Sequence, residues 1–248
     1  MIEHRRLLVF ALIFTMALGL SLTLSVGVLP FYGLALAALA SAAVPYMLHT
    51  HPGYVFWPVR LILPAALALA APSVAHGLGS GPLRVVGVFG PAALLYAVIY
   101  AEYQLVGLDS PVRAQAARLL LTLSAYAVAL AHYLLIWEVK ERSLISAPLI
   151  ALISGALALR VLTLDRPPDA KIYFYAGAAA LAMAEVLWPL NYWVLGLTAG
   201  GLLLLLAFYV LIGLMRELLA GTFSQAMLLE YGAVSAAGAL VVFGASRL

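Results

Sequence analysis

The sequence contains no cysteine and few charged residues. The lack of cysteine excludes disulfides, thiolate nucleophiles, iron–sulfur clusters and cysteine-ligated zinc. Only 9% of the 248 residues are charged, whereas a soluble domain carries about 25%. Hydrophobic residues make up 66% of the chain, and the mean hydropathy is +1.10. No compact water-soluble fold could hide so much apolar surface, so the composition indicates an integral membrane protein.

Long neutral runs lie between the charged residues, and a helix needs about 20 apolar residues to cross the hydrocarbon core. We predict nine spans, at residues 7–27, 29–48, 58–76, 84–105, 113–137, 144–162, 172–189, 193–215 and 225–245. The first two form one uncharged run in which Gly27 and Pro30 provide a turn. If that run were instead one long tilted helix, the count would fall to eight. The predicted fold is all-α, a single transmembrane bundle over residues 1–248.

The basic residues predict an orientation, because cytoplasmic loops are enriched in arginine and lysine. With the N-terminus inside, the inner side receives Arg5, Arg6, Arg60, Arg113, Arg118, Arg160, Arg166, Lys171 and Arg216. The outer side receives Arg84, Lys140, Arg142 and Arg247. We therefore expect a multi-pass protein of the cytoplasmic membrane with its C-terminus outside.

A net charge of +3 is too small to indicate a nucleic-acid partner. The preference for arginine over lysine and the lack of cysteine would suit a thermophilic source.

Three local signals refine the spans. Asp109, Ser110 and Pro111 offer a helix cap followed by proline at the first helical position. Residues 165–169, with two adjacent prolines, predict a non-helical inner connector. Gly196 and Gly200, at GxxxG spacing, permit close helix packing within the chain or between copies.

The stretch 184–193, AEVLWPLNYW, combines a glutamate with the aromatic residues of a membrane interface. Its proline is expected to end the seventh span. Glu185 falls in line with Gly177, Ala178, Leu181 and Ala182, and small residues usually face a neighbouring helix rather than lipid. We therefore predict that Glu185 is buried with a polar partner, as a structural hydrogen bond or as part of a functional site.

An outer layer of buried polar residues is predicted around this acid: His76, His132, Glu185 and Asn191. Two histidines and a carboxylate could hold a metal ion. However, they come from separate spans without ligand spacing, so we expect neither a metal site nor a cofactor.

An inner layer is the predicted ligand site: Arg60, Tyr100, Glu102, Arg118, Arg160 and Glu230. The arginines at these helix ends outnumber the acids. The charges could simply pair and extend to the interface. Alternatively, the excess positive charge could form a pocket for phosphate-bearing lipid headgroups.

The segment from Glu185 to Glu230, which contains LIGLMREL and LLEYG, resembles the end of an uncharacterised multi-spanning bacterial membrane protein family. The resemblance implies no catalytic residue. Three functional classes remain open. The first is a non-catalytic protein that binds lipid or another apolar ligand, or serves as a subunit of a membrane complex. The others are a carrier or flippase for lipid-like molecules and an intramembrane enzyme acting on lipid or isoprenoid. The expected partners are membrane lipids, with a homo-oligomer or larger complex possible.

Overall fold

The computed structural model describes residues 2–48, 58–79, 81–106, 110–139 and 143–245, and every regular element in these ranges is helical. The helices are α1 (Ile2–Ser21), α2 (Leu29–Leu48), α3 (Ile62–Gly77), α4 (Pro82–Val106), α5 (Pro111–Val139), α6 (Ser143–Leu162), α7 (Ala170–Asn191), α8 (Leu197–Ala220) and α9 (Gln225–Ala245). Within the described ranges, the eight from α2 to α9 have the length and apolar character to cross a membrane. The all-α prediction is confirmed, and the chain is a multi-pass membrane protein.

The first two helices are separate, which removes the alternative of one long helix. Residues 22–28 interrupt them, with a short 3-10 helix at Val26–Val28. The Tyr32 hydroxyl of α2 donates a hydrogen bond to the Ala17 carbonyl of α1, at 2.7 Å. This bond joins positions 15 residues apart in the chain, so α2 folds back along α1 as a hairpin.

Most predicted boundaries lie within two residues of the observed ones. The exceptions are both ends of α1, predicted at 7–27, the start of α3, predicted at 58, and both ends of α8, predicted at 193–215. The eighth helix begins at Leu197 instead of residue 193, because Gly196 has an extended backbone and forms the N-cap. Pro189 does not end α7, which continues to Asn191. Proline removes one hydrogen bond to the preceding turn, which membrane helices tolerate when neighbouring groups or local 3-10 geometry satisfy the freed carbonyl. The connector at 165–169 and the start of α5 at Pro111 are confirmed.

The chain divides into two compact units, Met1–Val128 and Ala129–Leu248, and the boundary falls inside α5. In the first unit, α2 packs on α3, α3 on α4, and α4 on α1. Its core includes the fully buried side chains Phe14, Leu18, Leu63, Leu95 and Ile99. The prediction of a single domain stays a prediction.

Glycine and alanine set the close packing within the second unit, where α6 packs on α7, α7 on α8, and α8 on α9. A Cβ added to Gly155 of α6 would lie 2.8 Å from the Ala180 Cβ of α7. A Cβ added to Gly200 of α8 would overlap the indole ring of Trp137 in α5. The close approach expected at the GxxxG pair is therefore found at Gly200, whereas Gly196 faces open space.

A polar pair lies in the core of this second unit. The hydroxyls of Tyr133 and Ser154 are 2.8 Å apart and hydrogen-bonded, and both residues are fully buried. The Tyr133 ring also meets Phe208 edge to face, with centroids 6.1 Å apart. A polar group in an apolar interior must be hydrogen-bonded, so the pair links α5 to α6 without a desolvation penalty.

Candidate functional site

A groove lies between the last turns of α4 and the first turns of α5, within the first unit. Its volume is about 460 Å³, which falls in the usual range of small-molecule sites. Tyr100, Ala101, Gln104, Arg113, Ala116, Ala117 and Leu120 line it. The α5 members follow the i, i+3, i+4, i+7 pattern of one helical face. Alanines at three lining positions leave the space open, because larger side chains there would fill it.

Hydrogen-bonding groups from α4 occupy one wall of this α4–α5 groove. The Gln104 amide nitrogen donates to the Tyr100 hydroxyl at 2.6 Å, across one helical turn. The Tyr100 ring is also parallel to that of Tyr96, with centroids 6.3 Å apart. These contacts fix the orientation of Tyr100. The Gln104 amide has a second N–H and a carbonyl oxygen with which it could bind a ligand.

Arg113 supplies the charge on the opposite wall. Its side chain is exposed, and it has no hydrogen bond or ion pair within the described part of the chain. A guanidinium has five N–H donors in a fork that matches phosphate or carboxylate geometry. The groove thus combines an apolar floor with a cation and amide donors at its rim. This arrangement can hold the anionic headgroup and part of the chain of an amphiphile.

The groove includes only part of the predicted inner layer. Tyr100 lines it, but Arg60 and Arg118 do not. Arg118 lies five residues after Arg113, about 140° around the helix, so it cannot share that face. Glu102 is fully buried on α4 and has an interaction partner. Arg160 and Glu230 belong to the second unit, where Arg160 is buried and Glu230 is exposed.

The family comparison covers nearly the whole chain. A family model described as a protein of unknown function (DUF5656) matches residues 9–245. The chain belongs to this DUF5656 family. The match extends far beyond the C-terminal third on which the sequence resemblance rested. No match to the chain was found among curated proteins or among solved structures.

The prediction that Glu185 is buried is wrong, because its side chain is exposed on α7. The packed face of α7 is a different stripe, which includes Ile172, Ala176, Ala179, Met183, Leu187 and Leu190. Small residues do mark that face, since Gly155 of α6 approaches Ala176 and Ala180. Gly177 and Leu181 instead lie exposed in line with Glu185. An alanine-rich helix has several stripes of small residues, and the stripe in line with Glu185 faces outward.

Of the other outer-layer residues, His132 and Asn191 belong to the second unit with Glu185, and His76 belongs to the first. His132 is buried, whereas His76 and Asn191 are half-buried. Among the described residues, no three histidine or acidic side chains lie close enough together to hold a metal ion.

The predicted ligand site does not include Arg113, which lines the groove, because the sequence does not show which arginines find partners in the fold. A usable signal was present nonetheless. Tyr100 and Gln104 are four residues apart, and Arg113, Ala116, Ala117 and Leu120 repeat at helical spacing just after the connector.

Proposed function

We propose that this protein is a non-catalytic membrane protein that binds anionic lipid in the α4–α5 groove. The observation that carries the proposal is Arg113, a cation that lacks a partner in the described structure and lines a cavity at the end of two membrane helices. The phosphate of a lipid headgroup would supply a counter-charge to the guanidinium. The acyl chain would lie along the alanines and Leu120.

Replacement of Arg113 tests the charge in this proposal. Each basic residue near an anionic membrane surface contributes about 1 kcal/mol, which corresponds to about a fivefold change in affinity. We expect Arg113→Ala to weaken phosphatidylglycerol binding by at least this factor, as measured by native mass spectrometry of protein titrated with the lipid. Arg5→Ala is the matched control, because Arg5 is also exposed and without a partner in the described ranges but does not line this groove. Equal effects of the two changes would show general surface attraction and refute the proposal.

A variant that fills the groove but retains Arg113 gives an independent test of the proposal. Ala116 is exposed and lines the groove, while the neighbouring Gln115 is exposed and does not. We expect Ala116→Leu to fill the cavity and reduce lipid binding, and Gln115→Leu to leave it unchanged. If Ala116→Leu binds lipid as tightly as the unmodified protein, the acyl chain does not occupy this groove.

The proposed orientation places the α4–α5 connector in the cytoplasm and the α7–α8 connector outside. The chain has no cysteine, so single-cysteine variants report each side without background. Val194 is fully exposed in the α7–α8 connector. We expect a membrane-impermeant maleimide to label Val194→Cys in intact cells and to label Ser110→Cys only after the membrane is permeabilised. The reverse pattern would contradict the arginine-based orientation and place the groove at the outer surface.

A further inference from the structure

The second unit has its own groove, formed by the first turns of α7 and the last turn of α8. Its volume is about 360 Å³, and it is lined by Ala170, Lys171, Phe174, Tyr175, Leu218 and Leu219. The walls are therefore aromatic and aliphatic apart from one cation, Lys171. The rings of Phe174 and Tyr175 meet edge to face with centroids 5.8 Å apart, which gives that wall a defined shape.

Most charged groups around this α7–α8 groove are already engaged with the protein. The Asp169 carboxylate accepts a hydrogen bond from the Ile172 N–H at 2.8 Å, which caps α7. Arg166 donates to the Leu219 carbonyl at 3.0 Å. Arg216 forms a salt bridge with Asp165 at 4.0 Å. The Thr222 hydroxyl donates a hydrogen bond to the Glu217 carboxylate at 2.5 Å.

Lys171 differs from these groups because it has no hydrogen bond or ion pair in the described structure. It is exposed at the second position of α7, where a cation opposes the helix dipole instead of complementing it. Its position therefore does not stabilise the helix through the dipole. An ammonium group above an apolar groove is suited to a bound anion whose hydrocarbon part occupies the groove.

We infer that the α7–α8 groove is a second site for a phosphate-bearing lipid, separate from the α4–α5 groove. Lys171 binds the headgroup phosphate as a point charge, and Phe174, Leu218 and Leu219 contact the acyl chain. The two sites differ in chemistry, since the guanidinium of Arg113 binds phosphate through a planar fork and an ammonium does not. Each of the two grooves thus contains one cation without a partner among the residues that the structure describes.

The test counts bound lipids on the full-length protein. In nanodiscs of phosphatidylcholine with phosphatidylglycerol, followed by native mass spectrometry, we expect Lys171→Ala to lose one phosphatidylglycerol and Arg113→Ala to lose another. At the Lys171 site the apparent affinity should fall about fivefold. Lys171→Arg should retain the lipid, and Arg5→Ala should bind as the unmodified protein does. Thermal unfolding of each variant establishes that the fold is intact.

The Arg113 and Lys171 variants report on the two grooves separately. If Arg113→Ala loses lipid and a folded Lys171→Ala does not, the second site does not exist while the first stands. If only Lys171→Ala loses lipid, the second site stands without the first. In lipid-free detergent with inorganic phosphate, we expect no Lys171-dependent phosphate adduct. Such an adduct would show a site for free phosphate and overturn the assignment to lipid.

Discussion

Replacing Gly33 by alanine is expected to destabilise the protein markedly, despite the higher helix propensity of alanine. Gly33 is buried in α2, and an added Cβ would overlap the backbone carbonyl oxygen of Leu69 in α3. Alanine gains about 1 kcal/mol over glycine inside a helix, whereas overpacking costs about 1–3 kcal/mol. The cost should lie at the upper end here, because the obstructing atom is backbone and cannot rotate away. The two helices would have to separate.

Gly19 provides a matched control for this substitution. It lies in α1, and nothing would come within 4 Å of an added Cβ. We expect Gly19→Ala to be neutral or slightly stabilising and Gly33→Ala to lower Tm. Each kcal/mol corresponds to about 2–4 °C in a chain of this length. Thermal unfolding in detergent, followed by tryptophan fluorescence, measures both variants. Equal Tm values for the two would show that α2 and α3 do not approach closely at this point.

The existence of the helices and most of their limits could be predicted from the sequence because they depend on local properties. A long apolar run must be helical in a membrane, since every backbone polar group has to be satisfied within the segment. The 165–169 connector could be placed for the same reason, because the prolines at 167 and 168 act on their own backbone. The glycine at 196 was instead included in the eighth span, although it caps the start of α8.

The packing faces could not be predicted with the same success, because lipid and protein neighbours are both apolar. In a soluble helix, charge marks the outward face. In α7 the exposed face carries Leu181 and Phe174, which look no different in sequence from core residues. Glu185 was therefore assigned to the wrong side. The candidate site could not be predicted for a related reason, since the groove depends on which α4 and α5 side chains the fold brings together around Arg113.

Replacing Gly200 by alanine should also destabilise the protein. Here the added methyl group would meet a side chain, whereas at Gly33 it would meet backbone. Trp137 is buried against this glycine, and an added Cβ would overlap its indole ring. The ring is rigid and has few rotamers, so it cannot yield without leaving its site. Gly177→Ala is the control, because Gly177 is a helical glycine with open space around it. We expect Gly177→Ala to leave Tm unchanged or slightly raised. A large fall in Tm would instead show that the face of α7 that carries Gly177 and Glu185 is packed against a neighbouring helix.

Combining Gly200→Ala with a substitution of Trp137 measures the contact between these two residues directly. Trp137→Leu alone should lower stability by about 2–5 kcal/mol, because it leaves a cavity in the core. In that background the added methyl of Gly200→Ala no longer meets a ring and occupies part of the cavity. The double variant should therefore be more stable than the sum of the single changes predicts, with a coupling of about 1–3 kcal/mol. Additive losses would mean that Trp137 does not lie against Gly200.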